Sequence, residues 1–128
     1  MGAARDAPDP IAHWIVLLDA AERMVASAPC APGALVAADA AFAVLLAHEH
    51  ALPPEQRYQA RLTLWQRNHA GEQLPDRHVQ WGECTCPACH RARLRARVER
   101  REAVWQAQLR ILQQQKQRLQ RKDQHTHD

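Results

Sequence analysis

Apolar side chains recur at helical spacing through most of this chain. Ile11, Trp14, Ile15, Leu18 and Val25 fall on one face, which predicts an amphipathic helix running to about Ala28. Asp9-Pro10 marks its start, because Asp is a side-chain cap and proline suits the first helical position, where its missing N–H is not needed. Pro29-Cys30-Ala31-Pro32-Gly33 breaks the pattern. A second helix is expected over Ala34–Ala51, with Leu35, Ala38, Phe42, Leu45 and Leu46 facing one way. A third starts at Pro53-Pro54-Glu55, presents Tyr58, Leu62 and Trp65, and has Gly71 as a plausible C-terminal cap. From Pro87 to about Arg121 nothing breaks a helix, which at 1.5 Å per residue is roughly 50 Å of rod. That is more than a small compact domain can cover, so part of it must project or find a partner.

The expected fold class is therefore all-α. A three-helix body leads through a zinc-knuckle turn into one long, amphipathic, basic C-terminal helix. The expected divisions are a flexible 1–9, an acidic helical body at 10–71, a loop with the zinc-binding cysteine cluster at 72–90, the long basic helix at 87–121 and a disordered tail at 122–128. On the long helix, Leu94, Val98, Trp105, Leu109, Leu112 and Leu119 form one narrow stripe for partner packing. Glu102 and Lys116 flank Leu109 and spoil a continuous heptad seam, so a helix docked at one end or weakly paired fits better than a long coiled coil.

Charge divides the chain at its first clustered cysteine. Residues 1–83 carry six Arg against ten Asp and Glu, a net of −4, whereas residues 84–128 carry eleven Arg and Lys against four acids, a net of +7. Arg93, Arg97, Arg100, Arg118 and Lys122 gather opposite the apolar stripe, with Arg101 nearby. Such a ridge suits a phosphate backbone, since neutralising it releases counterions and Arg bonds phosphate at two points. The competing expectation is that these arginines pair with acids of their own body or of a protein partner. The first expectation is a small zinc-stabilised nucleic-acid-binding protein, a regulator or accessory subunit of a nucleoprotein complex. The alternative is a protein-interaction adaptor or small inhibitor that docks an acidic or helical partner, or forms a homodimer, through the same C-terminal helix. A membrane or a small-molecule substrate is not expected.

Cys84-Thr85-Cys86-Pro87-Ala88-Cys89-His90 holds the candidate chemistry. Three thiols within six residues suit a metal better than disulfides, and Zn2+ takes four tetrahedral thiolate or imidazole ligands. Cys84, Cys86 and Cys89 are the expected ligands. His90 and His78 compete for the fourth place, ahead of His48, His50 and His69 from the helical body. His90 is handicapped because adjacent side chains diverge. A redox dithiol is the minor reading, with no βαβ pattern around the cysteines. Cys86-Pro87-Ala88-Cys89 also resembles the zinc hook of coiled-coil ATPases, which implies an ion shared between two chains. Cys30, between prolines, reads as a small residue in a turn.

Catalysis is not expected. Ser27 is the only serine, and phosphate-binding, dinucleotide and H-E-x-x-H patterns are missing. His48 and His50 lie about 200° apart on a helix and cannot share an ion unaided. No stretch reaches the roughly 18 apolar residues of a membrane span. Met1-Gly2-Ala3-Ala4-Arg5-Asp6 has neither an apolar leader core nor the hydroxyl residue of a myristoylation signal. The expected location is thus the cytoplasm, where cysteines stay reduced.

Overall fold

The computed structural model describes residues 9–70 and 83–126; residues 1–8, 71–82 and 127–128 lie outside it, Gly71 among them. Four helices and no strands occur among the described residues: α1 (Pro10–Ala26), α2 (Ala34–Ala51), α3 (Pro54–Asn68) and α4 (Pro87–Thr126). The all-α class and the positions of the helices follow the hydrophobic pattern. Asp9 caps α1 by accepting a hydrogen bond from the Ile11 N–H at 3.3 Å. Gly33, at φ 77°, adopts the left-handed conformation that starts α2, a position a Cβ would strain. α4 runs to Thr126, past the expected end near Arg121, because no glycine or proline interrupts it.

The core lies between α1 and α2 and is closed by α3 and the first turns of α4. Trp14, Leu18, Ala21 and Val25 of α1 pack with Ala38, Phe42 and Leu45 of α2, joined by Leu52, Ala60, Leu64 and Val98. Burying each large apolar side chain contributes about 1.5–3 kcal/mol. α3 is rotated from its expected setting. Ala60 and Leu64 face the core, while Tyr58, Leu62 and Trp65 are only half-buried. Helix α3 thus turns a small side chain inward, and Trp65 stacks on His69 with ring centroids 4.5 Å apart.

By length and hydropathy alone α2 could cross a membrane, contrary to the sequence expectation, since its 18 residues have a mean hydropathy of 1.3. Here it serves as a core helix. Its buried face ends in Glu49, fully buried, whose Oε1 accepts a hydrogen bond from Arg61 at 3.2 Å. Arg57 closes the same corner by donating to the carbonyls of His50 and Leu52 at 3.0 and 3.2 Å, satisfying acceptors that a helix end leaves open.

Val98 is the last buried residue of α4, and from residue 99 to 124 only Ala107 and Leu109 are even half-buried. The overhang from Val98 to Thr126 is about 42 Å long. Urea unfolding tests this division. Leu45→Ala should cost about 3 kcal/mol, as for a buried leucine. Leu112→Ala should change stability by less than about 0.5 kcal/mol in the monomer. Comparable losses would place the overhang inside the folded unit.

Candidate functional site

The cysteine turn precedes α4 and forms its first turn. Residues 84 and 85 are non-helical, and side chains alternate along extended backbone. Cys84 and Cys86 therefore face one way while Thr85, 1% exposed, faces inward. The Cys86 carbonyl accepts the His90 N–H at 3.0 Å, closing the first turn of the helix, and Pro87 is buried beneath it. Cys89 stands three residues after Cys86, one helical turn on and on the same side. The Sγ atoms of Cys84, Cys86 and Cys89 consequently lie within 4.8 Å of one another. Tetrahedral ligation at about 2.3 Å per thiolate would set them about 3.8 Å apart. The three thiols can hold a metal ion with only a small contraction.

Their proton affinities are already split. The Cys86 backbone N–H and the neighbouring Cys86 and Cys89 thiols stabilise a thiolate at Cys84 and lower its pKa. Cys89, which donates to Cys84 and Cys86, is pushed up to about 11.

His90 follows Cys89 by one residue, about 100° around the helix, and this sends its ring into the core. It is 1% exposed. Asn68 of α3 donates to Nδ1 at 2.9 Å, and Nε2 bonds Glu22 of α1 at 2.8 Å. Phe42 of α2 lies against the ring, with centroids 6.1 Å apart. With both ring nitrogens in use, His90 does not join the thiols, and the expectation that it supplies the fourth ligand is set aside for a structural role. His78, the other candidate, lies outside the described residues.

Around this histidine sits a charged network that sequence reasoning missed. Arg67 of α3 bridges Asp19 at 2.7 Å and Glu22 at 2.8 Å. Burial alone would raise the Glu22 pKa, but the His90 hydrogen bond and the Arg67 charge outweigh it and hold the carboxyl below the ordinary glutamate value. The signal was present in the pattern, since Glu22 stands four residues after Leu18 at the spacing of the buried stripe. Glu49 sits likewise, four residues after Leu45.

The arginines expected to form a ridge are divided. Arg93 donates to the Cys84 carbonyl and pairs with Glu83 at 3.1 Å, so it clasps the cysteine turn. Burial of Glu83 is opposed by His69, at 2.6 Å, whose hydrogen bond is the main reason its pKa is lowered, and by Arg93. Arg95 reaches Asp39 at 2.9 Å, with Arg91 at 3.9 Å from the same carboxyl. Arg101 donates to the Ala26 carbonyl at the end of α1 at 3.4 Å. Arg97, Arg100 and Arg118 are exposed. On the ridge face between Arg100 and Arg118 stand Val104, Ala107 and Ile111, so the basic surface is interrupted by apolar side chains. Of the expected partner-packing residues, Leu94 and Val98 meet the core, whereas Trp105, Leu109 and Leu112 lie on the overhang.

Comparison of the chain with protein-family models, curated proteins and solved structures finds no match.

The lowered Glu22 pKa has a sign that chelator-treated protein can test. A depressed carboxyl stabilises the fold above its unfolded value of 4.5 and loses that contribution as pH falls through the folded value. Glu22→Gln should cost about 1–3 kcal/mol at neutral pH, with the gap to the unmodified protein narrowing below pH 4.5. A gap that stays constant through the acid range contradicts the assignment.

Proposed function

We propose that this protein is a non-enzymatic docking module, in which a metal-pinned turn fixes the long helix to the body and its distal half engages an α-helical protein partner. The exposed apolar surface of the overhang carries this reading. Val104, Trp105, Ile111, Leu112 and Leu119 are 54–65% exposed along a single rod. Their face spans about 120° when Val104 and Ile111 are counted with the main stripe, the width of a helix meant for packing rather than for solvent. A row of exposed large apolar side chains on one helix face, even with Gln108 and Gln115 between them, marks an interaction site.

Zinc is the ion proposed for Cys84, Cys86 and Cys89. Soft thiolates favour it, and a closed tetrahedral site would act as a structural clamp. His78 is the proposed fourth ligand. The clamp would hold the first turn of α4 where His90 enters the core, and Arg93 would reinforce it from outside.

A second reading, nucleic-acid binding, is favoured by the exposed Arg97, Arg100 and Arg118 on a segment with a net charge of +7. Lys122 and Arg101 would extend that contact. The apolar interruption at Val104, Ala107 and Ile111 makes it the weaker of the two.

Elemental analysis tests the clamp: one zinc per chain is expected, lost in Cys84→Ser, Cys86→Ser or Cys89→Ser and kept in Cys30→Ser. About half an equivalent would instead indicate an ion shared between chains. Photo-crosslinking residues placed at Trp105 and Leu112 in living cells should capture a discrete protein, while the same group at Arg110, on the opposite face, should not. Equal capture from both faces defeats the docking reading. Titration of labelled duplex and single-stranded oligonucleotides at two salt concentrations decides the second reading, which requires binding that weakens steeply as salt rises.

A further inference from the structure

The occupant of the exposed face is written in its charge pattern. Trp105, Leu112 and Leu119 recur every seven residues down the overhang, in line with Val98, which is buried in the body. Because Glu102 and Lys116 spoil a seam through Leu109, the packing row is completed by Arg101, Gln108, Gln115 and Lys122 instead. One flank carries Val104, Ile111 and Arg118, and the other carries Glu102, Leu109 and Lys116. A parallel pair of such helices would press Arg101 against Arg101 and Lys122 against Lys122 within the seam, where like charges repel.

Reversing one helix removes both clashes, carrying Arg101 opposite Leu119 and leaving Lys122 past the end of the seam, since Val98 is buried in its own body. With the crossing point near Arg110, Leu109 meets Leu109 and Ile111 meets Ile111 on the two flanks. Glu102 then faces Lys116 of the second copy, and by symmetry the pairing occurs twice. Trp105 and Leu112 fall against the aliphatic stems of Gln115 and Gln108.

Two further features agree with this direction. The helix tip is basic, with Lys116, Arg118, Arg121 and Lys122 against Asp123, and reversal brings it toward the exposed Glu99 and Glu102 of the second copy. An open cleft of about 420 Å³ lies where α1 ends against α4, lined by Ala26, Pro29, Cys30, Arg101, Glu102 and Trp105. The same register carries Leu119 of the second copy to Arg101, at this cleft.

We propose that the distal half of α4 pairs with a second copy of this chain in antiparallel orientation, with Glu102 and Lys116 forming reciprocal ion pairs across the seam. The proposal rests on the docking reading and names its partner. The two Gln positions weaken the seam, so the dissociation constant should be on the order of 10 µM, at the weak end of the micromolar-to-picomolar spread of protein interfaces.

Sedimentation equilibrium on the full, metal-loaded chain at low salt tests it, with helicity checked by circular dichroism. The unmodified protein should dimerise. Glu102→Lys and Lys116→Glu should each weaken the dimer about tenfold, and the double variant should return to within about threefold of the original. Both positions are exposed, so the fold should survive each change. In a parallel pair Glu102 would face Arg97, and the double variant would not recover. A chain that stays monomeric up to about 500 µM, or a double variant no tighter than the singles, overturns the proposal. Monomeric protein whose apolar face still crosslinks a different protein in cells would leave the docking reading standing. Loss of both results would end the two together.

Discussion

A single buried imidazole organises this molecule. His90 takes one hydrogen bond from Asn68 on α3, makes another to Glu22 on α1, and lies against Phe42 on α2. It therefore joins the helix on which it sits to each of the other three. A buried polar ring is tolerated only if its nitrogens are satisfied, so the three partners must be in place together. Arg67 extends the requirement by holding Glu22 and Asp19 at once. The direction in which α4 leaves the body is set by its first few turns, from His90 to Val98, short of the residues it displays.

The cysteines and the histidine divide the same turn between two surfaces. Alternation in the extended segment and the helical step after Pro87 bring three thiols to the outside, while the next residue along the helix goes inward. The metal candidate and the core anchor are thus covalent neighbours with opposite orientations. Ordering the thiols around an ion would stiffen the backbone that aims His90, and the His90 network would in turn limit the ways the thiols can spread.

Much of this was legible in the sequence, and the failures share a cause. Helix positions followed from apolar spacing and from proline and glycine breaks, and the thiol cluster followed from spacing alone. The orientation of α3 did not, because the bulky Tyr58, Leu62 and Trp65 suggested a core face while the close approach of helices selected Ala60 and Leu64. Glu22 and Glu49 were hidden for a related reason: a charge at a core-facing position becomes intelligible only when its partner from a distant helix is known. Arg93 looked like one member of a basic ridge, yet a neighbouring carbonyl and carboxylate occupy it. Local pattern identifies elements, whereas long-range partners decide what a charged residue is for.

The overhang of α4 is also a lever. Its base is gripped over a few turns and its tip lies about 42 Å beyond Val98. A tilt of about 5° at the cysteine turn, roughly 56 Å from the tip, would therefore displace the tip by about 5 Å, close to the rise of one helical turn. Side-chain register at the far end is then governed by angular precision at the near end. A substitution that slightly loosens the packing of His90 can leave the body folded and still move Leu119 out of line with whatever receives it.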